Sequence, residues 1–108
     1  MLCELRVYEV LPGKMPALHA RFENPVLGLF AKHGIEVIGF WTTAVGEGSN
    51  ELTYMLKFES MADREKKWTA FQSDSAWKTA RAESEKDGPL VARVRNQFLA
   101  PTPYSPLK

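Results

Sequence analysis

The sequence predicts an α+β fold in which four antiparallel strands form one sheet and the helices cover a single face of it. Two observations support this prediction. Apolar residues alternate with polar ones in some segments and recur every three to four positions in others. Glycines and prolines separate the segments, whose order is strand, helix, strand, strand, helix, strand. A chain of 108 residues is long enough for one hydrophobic core and too short for two.

The first half of the chain predicts a strand followed by an interrupted helix. Residues 2–10 alternate between apolar and polar side chains, as in a strand with one apolar face. A Pro-Gly pair ends this strand, and residues 16–33 then carry apolar side chains at helical spacing. Pro25 has no amide hydrogen, so we expect a kink or break near Asn24. Gly34 is suited to the left-handed conformation that ends a helix.

The second half predicts the remaining strands and the second helical region. Residues 35–43 are apolar at odd and even positions, which indicates a strand covered on both faces. A glycine-rich turn leads to a hairpin partner at 52–58. Ser60 and Asp74 are typical N-caps for two consecutive helices, and 90–99 forms the fourth strand. This βαββαβ order is the split βαβ pattern of the ferredoxin-like fold.

The composition limits the organisation of the protein and its partners. We expect residues 1–100 to form the ferredoxin-like domain and 101–108 an extended, proline-rich C-terminal tail. A formal net charge of +1 argues against nucleic acid as a partner, and no apolar run is long enough for a membrane span. A single cysteine, Cys3, excludes an intrachain disulfide and fits a reducing compartment, so we expect a cytoplasmic protein.

No metal or cofactor is expected. The only two histidines, His19 and His33, lie on one predicted helix, where their separation of roughly 21 Å at 1.5 Å per residue is too long for them to share a metal ion. The serines have no nucleophile-elbow setting, and the glycines of the hairpin turn do not form a phosphate loop. The sequence therefore contains no recognisable catalytic motif, and whether the protein is an enzyme stays open.

The apolar second strand predicts that the sheet face away from the helices is covered by a second copy of the chain. Either Trp41 and Val37 or Phe40 and Ile38 would lie on that face. The charged and polar residues of the first and last strands are expected beside them, Glu4, Arg6, Tyr8, Arg93 and Arg95 among them. Two sheets related by a two-fold axis would form a barrel with a partly basic cavity for a small molecule. A monomer with a solvated sheet face is the alternative.

Three arginines and a tyrosine are the first candidates for ligand binding. Arg6, Arg93 and Arg95 have the planar geometry that clamps a carboxylate or phosphate. Pairing of these arginines with Glu4 or with acidic residues of a partner subunit is an equally good interpretation. Tyr8 would donate a hydrogen bond to the same ligand, or would only fill space in the interior.

His33 and Trp41 complete the set of candidate ligand-binding residues. His33 continues the apolar stripe of the first helix and would project toward the sheet as a ligand or base. The preferred interpretation is that it ends the helix, where a histidine interacts favourably with the last carbonyls, because the sequence places no carboxylate or second histidine beside it. Trp41 would line an aromatic pocket with Trp68 and Trp77 only if the three converged, and the helical spacing of the latter two predicts core positions.

Short motifs along nearly the whole chain match a known family. In order, they are Glu4-Leu5-Arg6-x-Tyr8, Pro12-Gly13-Lys14, Arg21-Phe22, Lys32-His33-Gly34, Gly39-x-Trp41-Thr42, Asn50 with Leu52 and Tyr54, Arg64 with Trp68 and Phe71, Asp74 with Trp77, and Phe98-Leu99-x-Pro101-Thr102. In these motifs the chain resembles the NIPSNAP family of the dimeric α+β barrel superfamily. The resemblance implies the fold and a homodimer, or a higher assembly of it, but no settled reaction.

These observations lead to three hypotheses about function. The first is a small homodimeric protein that binds a small anionic or aromatic ligand between the sheets of the dimer. The second follows from the resemblance, because the superfamily includes cofactor-independent monooxygenases of small aromatic or polyketide-like substrates. For that chemistry, His33, Arg6 and Tyr8 are the available residues. The third is an adaptor for membrane or protein partners, a role associated with eukaryotic relatives.

Overall fold

The computed structural model describes residues 1–107 and contains one antiparallel sheet. Its strands are β1 (Leu2–Val10), β2 (Glu36–Thr42), β3 (Glu51–Phe58) and β4 (Val91–Leu99). They are ordered β2-β3-β1-β4, so the first strand of the chain lies in the middle of the sheet, between β3 and β4. This is the strand order of a ferredoxin-like βαββαβ fold, and the predicted α+β class is confirmed.

The helices cover one face of the sheet. They are α1 (Met15–Arg21), a kinked segment (Phe22–Val26), α2 (Leu27–Lys32), α3 (Met61–Ser73) and α4 (Ser75–Ser84). Across residues 1–107, no helix combines the length and the apolar character that crossing a membrane requires.

The first helical region is interrupted where the sequence predicts a break. Asn24 has φ of −156° and ψ of 116°, which is extended backbone inside an otherwise helical stretch. Pro25 follows and cannot donate the hydrogen bond that would continue the helix. Gly34, with φ of +72°, ends α2 as expected. The break makes α1 and α2 two short elements, and α1 lies against α4.

Both predicted N-caps are present. The Ser60 hydroxyl accepts a hydrogen bond from the Asp63 amide at 3.1 Å, and the Asp74 carboxylate accepts one from the Ala76 amide at 2.9 Å. The second oxygen of Asp74 accepts hydrogen bonds from Lys32 and His33, each at 2.8 Å. These bonds from Lys32 and His33, followed by the amide bond, hold the pKa of Asp74 well below its usual value. One carboxylate therefore begins α4 and ties it to the end of α2.

The polar residues of β1 face the helices, so the prediction that they lie on the opposite face is wrong. Arg6 lies opposite Tyr54, which is fully buried between sheet and helices. Residues that pair across antiparallel strands share a face, and side chains alternate along a strand, so Glu4 and Tyr8 point the same way as Arg6.

The physical reason is that this charge is neutralised within the helix-covered layer. Glu4 and Arg6 form an ion pair at 2.8 Å, and the Glu4 side chain is fully buried. Leu5 and Val7, the apolar residues that alternate with them, therefore point to the other side of the sheet. We call that side the open face.

The open face is largely apolar at its centre. Leu5, Val7 and Met55 are half-buried there by their neighbours, and Leu99 and Trp41 are 37% and 52% exposed. Hence Trp41 faces the open side, whereas Phe40 faces the helices. The sequence predicts that β2 is covered on both faces. Within the described chain, only its helix side is covered.

The Trp41 ring lies across Gly39 on the open face. A Cβ at Gly39 would stand 2.8 Å from the indole ring, so any side chain at this position would push the ring away. The glycine thus provides the space that lets the indole lie flat against the sheet.

The core is an aromatic layer between the sheet and the helices. Tyr54 stacks on Phe40 with ring centroids 4.9 Å apart, and Phe22 meets both of them edge-on. Further along the layer, Phe71 stacks on Trp77 at 5.1 Å. Trp77 is buried and Trp68 packs against the same cluster, so both tryptophans hold the core positions that their spacing predicts.

Candidate functional site

A cleft of about 290 Å³ opens on the helix-covered side, between α4 and β4. It is lined by Arg6, Tyr8, Arg21, Gln72, Trp77, Arg81, Glu85 and residues 91–94. A smaller pocket of about 20 Å³ borders several of the same side chains, including Tyr8, Arg21 and Trp77. The lining is mainly polar and charged, and Trp77 and Val94 are among its few apolar side chains.

A buried ionic network lies beside the cleft and is centred on Glu4. Its carboxylate accepts hydrogen bonds from Arg6 at 2.8 Å, from Arg64 at 3.0 and 3.1 Å, and from Asn96 at 3.0 Å. The guanidinium groups of Arg6 and Arg64 lie 4.4 and 5.1 Å from the centroid of the Trp68 ring. The network joins β1, β4 and α3.

The protonation of Glu4 is set by two opposing effects. Burial raises the pKa of its carboxyl, since a charge is disfavoured away from water. The hydrogen bonds from Arg64 and Asn96 and the charge of Arg6 outweigh burial and hold the pKa below its usual value. Glu4 is therefore ionised at neutral pH and balances one of the two buried arginines.

A pair of tyrosines connects this network to the cleft. Arg6 donates its Nε–H to the Tyr54 hydroxyl at 2.7 Å, and the hydroxyls of Tyr54 and Tyr8 are 2.8 Å apart. Burial, followed by the neighbouring Tyr8, raises the pKa of Tyr54 well above its usual value, so its hydroxyl keeps its proton. Tyr8 lines the cleft and Tyr54 lies behind it.

Arg21 is the most unusual residue of the cleft. Its side chain is only 9% exposed, and its buried Nε–H has no hydrogen-bond partner in the described chain. The guanidinium donates one weak bond to Ser84 at 3.2 Å and lies 5.2 Å from the centre of the Trp77 ring. Burial lowers the pKa of Arg21, which means that the buried cation lacks full compensation. Buried donors without a partner are uncommon in proteins and point to a missing partner.

The mouth of the cleft carries an excess of positive charge. Glu85 contacts Arg81 at 3.0 Å and Arg21 at 3.8 Å, so one carboxylate serves two guanidinium groups. Arg6 is already neutralised by Glu4. Arg21 and Arg81 share the single carboxylate of Glu85, so one positive charge is left over, and it favours a small anion in the cleft.

Two of the predicted ligand-binding arginines lie on the open face. Arg93 and Arg95 both contact Glu9, at 3.0 and 3.3 Å, and Arg95 also binds Glu51 at 2.8 Å. A bulge near the start of β4 brings Arg93 to the edge of the cleft as well. Arg95 is separated by the sheet from Arg6 and Tyr8.

The other two predicted residues are distant from the cleft lining. His33 caps the end of α2 and bonds to Asp74, so a carboxylate partner that the sequence did not indicate is present. Trp41 belongs to β2, at the opposite edge of the sheet from β4. Of the six candidates, the structure brings Arg6, Tyr8 and the edge of Arg93 together, and leaves His33, Trp41 and Arg95 apart.

Sequence reasoning overlooked Arg21 and Tyr54. The signal for Arg21 was available, because it follows Leu18 by three residues and immediately precedes Phe22, and so places a charge in the apolar stripe of a helix. Tyr54 lies in the core. Its link to Tyr8 depends on the register of β1 against β3 and on which face of β1 meets the helices, neither of which the sequence specifies.

Three other clefts of the described chain are larger. One of about 340 Å³ lies at the β2 edge beside Leu27 and Trp41, and another of about 430 Å³ lies near Glu36 and Lys67; neither is lined by Arg21. The third, of about 370 Å³, borders Arg21 from the side of Pro25 and Ser84 but is lined by neither Tyr8 nor Trp77. The cleft that combines Arg21 with Tyr8 and Trp77 is therefore the best candidate site.

Comparison with known proteins identifies the family. The NIPSNAP family model matches residues 3–106. The chain belongs to the NIPSNAP family. This confirms the resemblance seen in the sequence motifs. No curated protein matches the chain.

Solved NIPSNAP structures share the whole fold. Protein Atu4242 from Agrobacterium tumefaciens is 25% identical, with a TM-score of 0.88 and coverage of 100% of both chains. The NIPSNAP family protein Atu5224 from the same organism is 23% identical, with a TM-score of 0.88 and coverage of 99% of this chain and 98% of that one. The NIPSNAP domain thus has the length and topology described above.

A more distant structure has the same fold. A Nitrosomonas europaea protein named "putative antibiotic biosynthesis monooxygenase" is 11% identical, with a TM-score of 0.65 and coverage of 94% of this chain and 98% of that one. At this identity the likeness concerns the fold alone.

Proposed function

We propose that this NIPSNAP-family protein binds a small anionic molecule with a planar apolar part in the cleft between α4 and β4. The observation that carries the proposal is the unpartnered, buried Nε–H of Arg21 beside Tyr8 and Trp77. An anionic oxygen would accept this hydrogen bond and compensate the buried charge. The apolar part would lie against Trp77 and Val94.

This proposal moves the ligand from the position expected from the sequence. Arg6 and Tyr8 face the helices, so neither reaches a space between two sheets. The open face presents Arg93 and Arg95, whose charges are already paired with Glu9 and Glu51. A ligand site on the helix side therefore explains the uncompensated charge of Arg21, whereas a site on the open face would not.

The first prediction concerns Arg21. Wild-type protein titrated with benzoate, 2-naphthoate and indole-3-acetate, followed by calorimetry and tryptophan fluorescence, is expected to bind at least one of them. Arg21→Gln should weaken that binding by roughly tenfold or more, because a charge-assisted hydrogen bond is lost.

The matched control is Arg95→Gln, which removes the same charge from the open face. It should leave the affinity within a factor of two or so, because surface pairs contribute little. Absence of binding for all three acids at millimolar concentration, or equal binding by Arg21→Gln, would contradict the proposal.

We also propose that the open face forms a homodimer. Its centre carries Leu5, Val7 and Met55, and the neighbouring Trp41 and Leu99 are exposed. A two-fold axis would pack this surface against itself, with charged pairs such as Arg95–Glu51 at the rim. The dimer would leave the cleft accessible, because the cleft lies on the other side of the sheet.

The second prediction tests this interface. Leu5→Arg should convert a dimer into a folded monomer, since a charge at the centre of an apolar interface has no partner. Size-exclusion chromatography with light scattering measures the mass, and circular dichroism checks the fold. Thr79→Arg on the exposed side of α4 is the control and should remain dimeric. A wild-type protein that is monomeric at micromolar concentration would rule out the dimer.

A cofactor-independent oxygenase receives less support from the geometry. His33, the base that such chemistry would use, bonds to Asp74 and does not line the cleft with Arg6 and Tyr8. Binding rather than oxygen chemistry is therefore the function that we propose.

A further inference from the structure

A chain of hydrogen bonds runs from the buried ionic network to the cleft. Arg6 donates from Nη1 to Glu4 at 2.8 Å and from Nε to the Tyr54 hydroxyl at 2.7 Å. The Tyr54 and Tyr8 hydroxyls are 2.8 Å apart, and Tyr8 lines the cleft. Tyr54 is fully buried, so its hydroxyl has no access to water.

The chemistry of the donors fixes the direction of this chain. A guanidinium only donates, so the Tyr54 oxygen accepts from Arg6. The single hydrogen of Tyr54 then needs an acceptor, and the Tyr8 oxygen is the one it meets among the described residues. The opposite direction would leave a buried hydroxyl hydrogen unpaired, which proteins avoid. Tyr54 therefore donates to Tyr8.

The consequence appears at the cleft. With its oxygen accepting from Tyr54, the Tyr8 hydroxyl directs its own hydrogen away from Tyr54. Arg21 borders the same cleft, and its buried Nε–H has no partner in the described chain. Tyr8 and Arg21 thus line the cleft with a hydroxyl donor and a guanidinium group, and neither side chain supplies a fixed acceptor.

We infer that Tyr54 is a positioning residue whose hydrogen bond to the Tyr8 oxygen makes the Tyr8 hydroxyl a donor toward the cleft. The cleft therefore selects carboxylates and related oxyanions such as enolates. The inference rests on the proposed function, since it assigns the ligand's acceptor oxygen to the Tyr8–Arg21 pair. Tyr54 does not touch the ligand. It acts through Tyr8, and Arg6 in turn sets the direction of Tyr54.

A double-mutant cycle with 2-naphthoate as the probe tests this inference. Tyr8→Phe and Tyr54→Phe should each weaken binding, by roughly tenfold for Tyr8→Phe, which loses a hydrogen bond to a charged oxygen. The double variant should bind no more weakly than Tyr8→Phe alone, because Tyr54 acts only through the Tyr8 hydroxyl. A general packing role for Tyr54 would instead give effects that add.

The neutral isostere 2-naphthamide provides the selectivity measurement. The wild type should prefer 2-naphthoate, and Tyr54→Phe should reduce that preference because the Tyr8 hydroxyl is then free to accept from the amide. If Tyr54→Phe fails to fold, the affinity of Tyr8→Phe for 2-naphthoate still tests the inference. Equal binding of 2-naphthoate by the wild type and Tyr8→Phe overturns the inference.

The two proposals fail in different ways. If no acid binds the wild type, or if Arg21→Gln binds as well as the wild type, the cleft is not a ligand site. If the wild type binds, Arg21→Gln loses binding and Tyr8→Phe does not, the site stands and the tyrosine relay alone is wrong. Additive effects in the double variant would also reject the relay.

Discussion

Replacing Glu4 with alanine is expected to lower the free energy of unfolding by about 3–5 kcal/mol. The Glu4 side chain is fully buried and accepts hydrogen bonds from both Arg6 and Arg64, whose side chains are 11% and 13% exposed. The alanine variant leaves both guanidinium groups and the Asn96 amide without their acceptor. Urea unfolding followed by circular dichroism gives the free energy directly.

The matched control is Glu65→Ala, which removes a carboxylate from the same Arg64. The Glu65 side chain is 62% exposed, so its loss should cost less than about 1 kcal/mol. Similar effects for the two variants would mean that the buried network does not stabilise the fold.

The lowered pKa of Glu4 also predicts how its contribution depends on pH. A carboxyl with a lower pKa in the folded state than in the unfolded state stabilises the fold above its ordinary pKa of 4.5. This contribution is lost as the pH falls through the folded-state pKa. The difference in stability between the wild type and Glu4→Gln should therefore shrink below pH 4.5, and a difference that grows toward acid would contradict the assignment.

Replacing Phe30 with alanine is the second large effect, expected to cost about 3–5 kcal/mol. Phe30 is 1% exposed, and its ring centroid lies 5.0 Å from that of Phe71. The six-residue α2 that carries it is too short to be stable alone, so packing against α3 holds it in place. Hydrogen exchange should show faster exchange in residues 27–33 of the variant.

Leu27→Ala on the same helix separates packing from helix propensity. Leu27 is 41% exposed, so its truncation removes little buried area. A small loss of unfolding free energy for Leu27→Ala and a large loss for Phe30→Ala would attribute the stabilisation to the contact between Phe30 and Phe71. Equal losses would attribute it to the helix itself.

The fold was predictable from the sequence because each element carries its own local signal. Pro25 marks the break in the first helix, and Ser60 and Asp74 mark the starts of α3 and α4. The turn glycines separate the strands of the hairpin. Each of these signals depends only on residues that are close together in the chain, so it can be recognised from the sequence.

The candidate site was only partly predictable, because its geometry depends on strand register. The alternation in β1 is compatible with either face, and the usual rule places the apolar residues inside. Here Glu4 finds partners on α3 and β4, from residues 60 and 92 positions away, which makes the polar face the covered one. No local pattern could reveal those partners, so the face of Arg6 and Tyr8 was assigned wrongly.

The central place of β1 has a consequence for the order in which the protein matures. Among the four strands β1 is synthesised first and β4 last, yet β1 needs β4, because β4 and its Asn96 complete the surroundings of Glu4. Until β4 emerges, β1 has an unpaired edge and a carboxylate that lacks one of its donors. The chain therefore closes late and as a unit, as expected for contacts of such long sequence separation.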